Sequence, residues 1–316
     1  MVRLCLILVL TSITFSSTVN AGSRNCTKAE KQAANAQLSA IASDSDRQSF
    51  LITTHLPHGL HTSDAAVKNE QVFHQAGYIL KHDTDLRTTL WVSYKLTETD
   101  MDNAAGKDRV NCFRRDPRMT SNQTATPTDY KEPIYDQGHM ANDADLKDDL
   151  TEQINTYLMS NMSPQHCRFN RGIWLSLEHL TRKWAKQYKT LYVTSGAIFD
   201  RDGNAQRDAD DKAQRMKSNN GKERVAVPSH YYKVIVRKKN DAWVGIAFLM
   251  ENTNQKRGSK WGEVRSHVVY SVINIGVIED VAGLKLHPNL DRSTFTQNLT
   301  DWDLSTNKAN FEASCH

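Results

Sequence analysis

The sequence predicts a mixed α+β fold, and three observations carry that expectation. An apolar fraction of 39% over 316 residues is enough to bury one large core, and no stretch has the composition of an interdomain linker. Leu90-Trp91-Val92-Ser93-Tyr94-Lys95-Leu96 alternates like a strand. Lys28 to Ala42, rich in Ala, Gln and Lys, has the composition of a helix, expected to pack on the surface and to carry no chemistry.

From the N-terminus, Arg3 is followed by an apolar run from Leu4 to Phe15 and by the small-residue cleavage pattern Val19-Asn20-Ala21, which reads as a secretory signal cut before Gly22. The apolar run is shorter than the ~20 residues that span a bilayer. A soluble exported protein, extracellular or periplasmic and without a membrane anchor, is expected. Cleavage removes Arg3 as the one charged side chain of residues 1–21 and lowers the formal charge from +4 to +3. So mild an excess favours localised phosphate contacts over a broad basic patch.

Cys5 leaves with the signal, while Cys26, Cys112, Cys167 and Cys315 remain. An even number in an exported chain points to two disulfides with three connectivities. Cys26 with Cys315 would tie the termini together, and Cys112 with Cys167 would join an arginine-bearing segment to the segment of Asn170. The chain has no Cys-x-x-Cys, which disfavours zinc. Asn25, Asn122, Asn161 and Asn298 lie in glycosylation sequons.

His55, His58 and His61 recur every three residues, but Pro57 and Gly59 break any helix that would align them, so a structural role is expected. Asp200 to Arg224 packs charges, Asn and Gly with hardly any apolar residue and reads as a mobile solvated insertion. Arg182, Lys183, Lys186 and Lys189 form a basic stretch whose default is solvent, with phosphate steering as a second role. His166 is expected to cap a turn in preference to touching phosphate. No Gly-x-Ser-x-Gly elbow and no phosphate-binding P-loop occur, which removes two common hydrolase and nucleotide-binding readings.

The chemistry concentrates in Tyr135-Asp136-Gln137-Gly138-His139-Met140-Ala141 and in Phe169-Asn170-Arg171-Gly172-Ile173-Trp174, with Asn170 lying 31 residues after His139. Water is a poor nucleophile at neutral pH, and an imidazole of ordinary pKa near ~6.5 is the side chain best matched to taking its proton. His139 is therefore the candidate base. Gly138 leaves room for close backbone approach, and Asp136 is near enough to orient the ring or shape the turn. The neutral amide oxygen of Asn170 suits Mg²⁺, which takes oxygen ligands and keeps several waters. If Asn170 to Leu180 is one helix, Glu178 lies roughly 12 Å along its axis and about 80° around it, a position for holding water and not for direct ligation.

These segments, with Met159-Ser160-Asn161-Met162-Ser163-Pro164-Gln165 between them and Leu177-Glu178 after them, resemble the DNA/RNA non-specific endonucleases of the ββα-metal type. That family carries Asp-Arg-Gly-His, then Leu-Ser-Asn-(apolar)-(Ser/Thr/Ala)-Pro-Gln, then Leu-Asn-(Gln/Arg)-Gly-x-Trp and Leu-Glu. The likeness runs from about Phe73 to Leu290. It implies a central antiparallel sheet flanked by helices, with a ββα-metal finger as the active site. Leu191 to Phe199, Val225 to Pro228, Tyr231 to Arg237 and Val244 to Met250 match its later core strands. Gly283 to Pro288 resembles its closing segment.

The resemblance assigns a phosphate-binding arginine to Arg109, with Arg114 and Arg115 as fallbacks. Asp136, Gln137, Asn161 and Arg171 are expected to bind substrate, His139, Arg109 and Glu178 to act in catalysis, and Asn170 to hold Mg²⁺, with Mn²⁺ as the alternative. One departure stands out, since Gln137 replaces the arginine of the family motif by a neutral amide that cannot make the same charge-assisted phosphate contact.

The domain reading is an N-terminal extension over 22–70, one catalytic domain over 71–295 and a tail over 296–316. The function expected is a secreted Mg²⁺-dependent endonuclease that contacts the backbone phosphates of DNA and RNA, has little sequence specificity and leaves 5′ phosphates; a homodimer is left open. The competing readings are a catalytically weak module that binds nucleic acid or protein, and a phosphodiesterase for small nucleotides.

Overall fold

The computed structural model describes residues 22–63, 69–217, 223–305, 311 and 315. The proposed signal over 1–21 lies outside them. Along the chain come β1 (Ser23–Asn25), α1 (Lys28–Ala42), α2 (Ser45–His55), β2 (Glu70–His74), β3 (Ile79–Asp83), β4 (Thr88–Thr97), α3 (Glu98–Asn103), β5 (Arg109–Asn111), β6 (Tyr135–His139) and α4 (Leu150–Thr156). There follow β7 (Met162–His166), α5 (Leu175–Tyr188), β8 (Thr190–Ile198), β9 (Arg215–Lys217), β10 (Glu223–Ala226), β11 (His230–Lys239), β12 (Ala242–Glu251), α6 (Trp261–Tyr270) and α7 (Ile275–Ala282).

The frame is an antiparallel sheet of six strands in the order β12-β11-β8-β4-β3-β2, the mixed α+β architecture expected. β4 is long enough to pair with β3 on one side and β8 on the other, with Tyr94 opposite Val193. Its side chains are buried along nearly the whole strand, because both faces of the sheet are covered. Trp91, Tyr94, Trp174, Trp184, Tyr231 and Phe248 have under 2% of their surface exposed and fill the main core. α5 packs against β4 and β8 from one face.

The helix read from Lys28 to Ala42 has those bounds, started by a capping box in which Thr27 and Glu30 satisfy each other's backbone amides. It buries Ala34, Leu38 and Ile41 and supplies Asn35 as an acceptor for the Arg114 side chain.

Several expectations change. Val225 and Ala226 pair with β9 in a separate two-stranded ribbon and do not join the main sheet. The Asp200–Arg224 insertion is anchored where described: Met216 is buried, and Arg207 pairs with Glu70, Asp83 and Asp210. Within the stretch read as a tail, Trp302 and Phe311 enter the core.

There are two disulfides, but Cys26 pairs with Cys112 and Cys167 with Cys315. The first follows from strand register. β1 and β5 run parallel with Asn25 opposite Asn111, so the next residue on each strand meets the other across 5.3 Å between Cα atoms. No helix among the described residues is long and apolar enough to cross a membrane.

Candidate active site

His139 ends β6, which pairs antiparallel with β7 so that His139 faces Met162 and Gly138 faces Ser163. A side chain at 138 would collide with Gln165, which explains the glycine between Gln137 and His139. The strand is continued by Met140, whose N–H reaches the Asn161 carbonyl at 3.0 Å. The Asn161 side chain then clamps Ala141 from both sides, accepting from its N–H and donating to its carbonyl at 2.9 Å each, and donates to the Thr156 carbonyl at 2.8 Å. Fully buried and fully committed, Asn161 has nothing left to offer a substrate. It fixes the chain that follows His139, and it lies outside the cleft lining, where a substrate-binding residue was expected.

The imidazole lines a cleft of about 550 Å³ with Arg109, Gln137, Asn170, Arg171 and Glu178. It is 8% exposed, and its Nε2 is buried without a hydrogen-bond partner. Burial lowers its pKa to about 4; Asp143 opposes that shift and Arg109 adds to it. The ring is therefore neutral at pH 7, as a proton acceptor must be.

Arg109 reaches the cleft from β5. Its Nε donates to the Tyr157 hydroxyl at 2.6 Å and lies 3.2 Å from Asp143, while half of the side chain remains exposed. Tyr157 in turn donates to Asp143 at 2.9 Å and meets the His139 ring edge-on at 4.7 Å. Burial opposes ionisation of Asp143, but His139, Arg109 and Tyr157 outweigh it and hold the carboxyl below its ordinary value. The fallback arginines do not compete for this position. Arg114 is buried and spends its guanidinium on Asn35, Cys112, Ile154 and Asn155, and Arg115 caps the Met119 carbonyl.

On the far side, Asp136 accepts from Asn170 Nδ2 at 2.9 Å and from Arg171 Nε and Nη2 at 2.9 and 2.8 Å. An ionised carboxylate only accepts, so the amide nitrogen of Asn170 must face it and Oδ1 is turned to the other side. Asp136 thus orients Asn170 and Arg171 in place of the His139 ring, and itself lines the cleft.

The helix expected from Asn170 to Leu180 is interrupted. Phe169–Trp174 forms a wide π-type turn broken at Gly172 (φ −109°, ψ −108°), and regular α-helix begins only at Leu175. The straight-helix separation of Asn170 and Glu178 therefore does not apply, and both line the one cleft.

Glu178 is 6% exposed, and burial pushes its carboxyl up to about 7 against the pull of Lys233, Arg182 and a hydrogen bond with Asn142. Behind it, Arg182 bridges to Asp145 at 2.9 Å, and Asp145 accepts from Tyr94 at 2.7 Å. A divalent cation of the Mg²⁺ kind suits this donor set: the Asn170 amide oxygen, a neighbouring buried carboxyl and open space for water and phosphate oxygens.

Arg182 is thus an internal ion-pair member, while Lys183, Lys186 and Lys189 pair with Asp303, Asp102 and Glu98; the basic stretch is not a free steering face. His166 packs on Tyr135 at 4.7 Å. His55 bonds the Ala76 carbonyl, His61 bonds Ser93, and His58 packs on Trp243, so all three are structural, and no metal-holding group among the described residues includes them. Asn142, Asp143, Asp145, Tyr157 and Lys233 were not singled out from sequence. The run Asn142-Asp143-Ala144-Asp145 just after His139 was the signal for three of them.

The DNA/RNA non-specific endonuclease profile matches residues 57–293. The chain is 32% identical over 178 residues to mitochondrial nuclease EXOG of Danio rerio, covering 55% of this chain and 50% of that one. It is 30% identical over 167 residues to human mitochondrial endonuclease G, covering 52% and 54%. With nuclease C1 of Cunninghamella echinulata var. echinulata it shares 28% over 220 residues, 69% and 82% of the two chains. The matched part is thus about half the length of the first two relatives. A crystal structure of the EndoG/EndoGI complex superimposes with a TM-score of 0.62 at 25% identity, covering 78% of this chain and 94% of that one. Since the match over residues 57–293 takes in the six-stranded sheet and all the residues that line the cleft, the chain belongs to the DNA/RNA non-specific endonuclease family.

Proposed function

We propose that this protein is a secreted, Mg²⁺-dependent endonuclease that hydrolyses phosphodiester bonds of DNA and RNA with little sequence preference and leaves 5′ phosphates. The observation that carries the reading is the convergence of Arg109, His139, Asn170 and Glu178 on one cleft. His139, kept neutral by burial, takes the proton of the attacking water. Arg109, fixed by Tyr157 and Asp143, offsets charge on the non-bridging phosphate oxygens. Asn170, its amide set by Asp136, and Glu178 with its water would hold the cation, which when bound supplies charge stabilisation to the phosphate and the leaving 3′ oxygen.

Contacts to backbone phosphate read neither base nor sugar, which supports tolerance of both polymers. Two disulfides support an oxidising, extracellular or periplasmic destination. Purified protein incubated with plasmid and with RNA, in Mg²⁺ and in EDTA, tests the reading. Cleavage of both in Mg²⁺ and of neither in EDTA is expected; full cleavage in EDTA contradicts the metal dependence, and intact polymers throughout contradict the activity.

A further inference from the structure

A buried imidazole that accepts a proton becomes a buried cation, which an apolar surround destabilises. Against the His139 ring stand two uncharged rings, Tyr157 edge-on at 4.7 Å and Phe113 tilted at 5.9 Å, and Nε2 is buried without a hydrogen-bond partner. Of the charged side chains that act on the ring, Arg109 disfavours the added proton and Asp143 favours it.

Asp143 lies four residues after His139 on a stretch held from both sides. Asn161 clamps Ala141, the Asn142 side chain accepts from the Ala144 N–H at 2.8 Å, and Asp145 is tied to Tyr94 and Arg182. The Asp143 side chain is buried and lines the cleft with the base. Its Oδ2 accepts from the Tyr157 hydroxyl at 2.9 Å and lies 3.2 Å from Arg109 Nε, while Oδ1 has no hydrogen-bond partner among the described residues.

We propose that Asp143 is a positioning residue whose negative charge stabilises the imidazolium formed when His139 takes the proton of the attacking water. This deepens the nuclease reading and rests on it. In that step a water O–H bond breaks, its proton passes to the imidazole, and the oxygen bonds to phosphorus. The 3′ oxygen leaves with the electrons of its bond and is protonated from water, and the imidazolium later returns its proton to solvent. A phosphate on the exposed half of Arg109 offsets that cation and leaves the Asp143 carboxylate to the ring.

The test is turnover of plasmid in Mg²⁺ beside binding of a short single-stranded oligonucleotide in EDTA, with circular dichroism establishing the fold. Asp143→Asn keeps an oxygen for Tyr157 and Arg109 and removes only the charge. It should lower kcat about 10- to 100-fold, because a nearby opposite charge is worth about 1–3 pKa units and the transition state feels part of it. Affinity for the oligonucleotide should hold or rise, since an anion leaves a cleft that binds phosphate. Asp143→Glu restores the charge and should recover most of the turnover. In the His139→Ala background the further loss from Asp143→Asn should vanish, because the cation it would stabilise no longer forms. Wild-type turnover in Asp143→Asn, weakened binding that accounts for its loss, a loss as large in Asp143→Glu, or an undiminished further loss in His139→Ala overturns the proposal. Wild-type protein that cuts neither plasmid nor RNA in Mg²⁺ defeats the nuclease reading itself, whereas an active wild type with an unaffected Asp143→Asn defeats this proposal alone.

Discussion

Asn170 donates its Nδ2 to Asp136 across 2.9 Å, so a residue three positions before the proposed base determines which way the proposed metal ligand faces. The same carboxylate holds Arg171 through two of its nitrogens. β6 therefore carries two separate functions on five residues: His139 at its end and, through Asp136, the orientation of the facing turn.

Asp136→Asn keeps the shape but lets the amides of 136 and 170 meet in either orientation. Partners of this kind are typically worth 10–100-fold in metal affinity or activity. A Mg²⁺ titration of cleavage should show half-saturation raised by about that factor. An unchanged titration curve would separate Asp136 from the cation site. Asn170→Ala should remove most activity, and excess Mg²⁺ should restore the wild type after EDTA.

The pH profile has two parts. Burial lowers His139 to about 4, so the acid limb expected near 6.5 from an ordinary imidazole is moved well down. Burial raises Glu178 to about 7, so its ionised form is lost as pH falls through neutrality. The wild-type limb should thus sit near pH 7 and belong to Glu178. Glu178→Gln should cut the maximal rate about 10- to 100-fold and shift the remaining limb toward pH 4. A limb that stays in place in Glu178→Gln assigns it elsewhere.

Gln137 lines the cleft where the family motif has arginine. Gln137→Arg adds a cation beside the substrate path, so affinity should rise and the log–log salt slope should steepen by about 0.7–0.9. Unchanged affinity and slope would show that this side chain does not meet the phosphate backbone.

Stability should fall in acid. Burial holds His55, His82, His139 and His179 at about 4 and His61 at about 3, all below the ordinary histidine value, so the unfolded chain takes up protons first as pH drops below ~6.5. Glu152 and Glu178, raised to about 7, and Asp83 and Asp148, also raised by burial, work in the opposite direction, but burial lowers His58, His74, His166, His230 and His287 as well, so four carboxyls oppose ten imidazoles. The urea midpoint should be lower at pH 5 than at pH 7.5; an equal or higher midpoint at pH 5 counts against this balance.

What could be read from the sequence was what local pattern determines. α1 follows from composition and a capping box, β4 from alternation, and the placing of His139, Asn170 and Glu178 in one site from motifs whose chemistry is explicit, while their cleft neighbours Asn142 and Asp143 lie outside those motifs. What could not be read depends on distant neighbours. The Cys26–Cys112 pairing needs the β1–β5 register, separated by 86 residues of chain. The interruption at Gly172 moves Glu178 off the axis that a continuous helix would give it. Asn161 sits inside a family motif yet spends every polar atom on backbone, and Arg182 belongs to a basic stretch yet lies against Asp145; in each case burial decided the role.

The central claim is that His139 is the base of a metal-assisted phosphodiester hydrolysis. Its most direct test is the turnover of plasmid in Mg²⁺ by His139→Ala beside the wild type, with circular dichroism establishing that both are folded. The account predicts a loss of at least ~10²-fold, the usual contribution of a general base. Near-native turnover by the folded variant would contradict it.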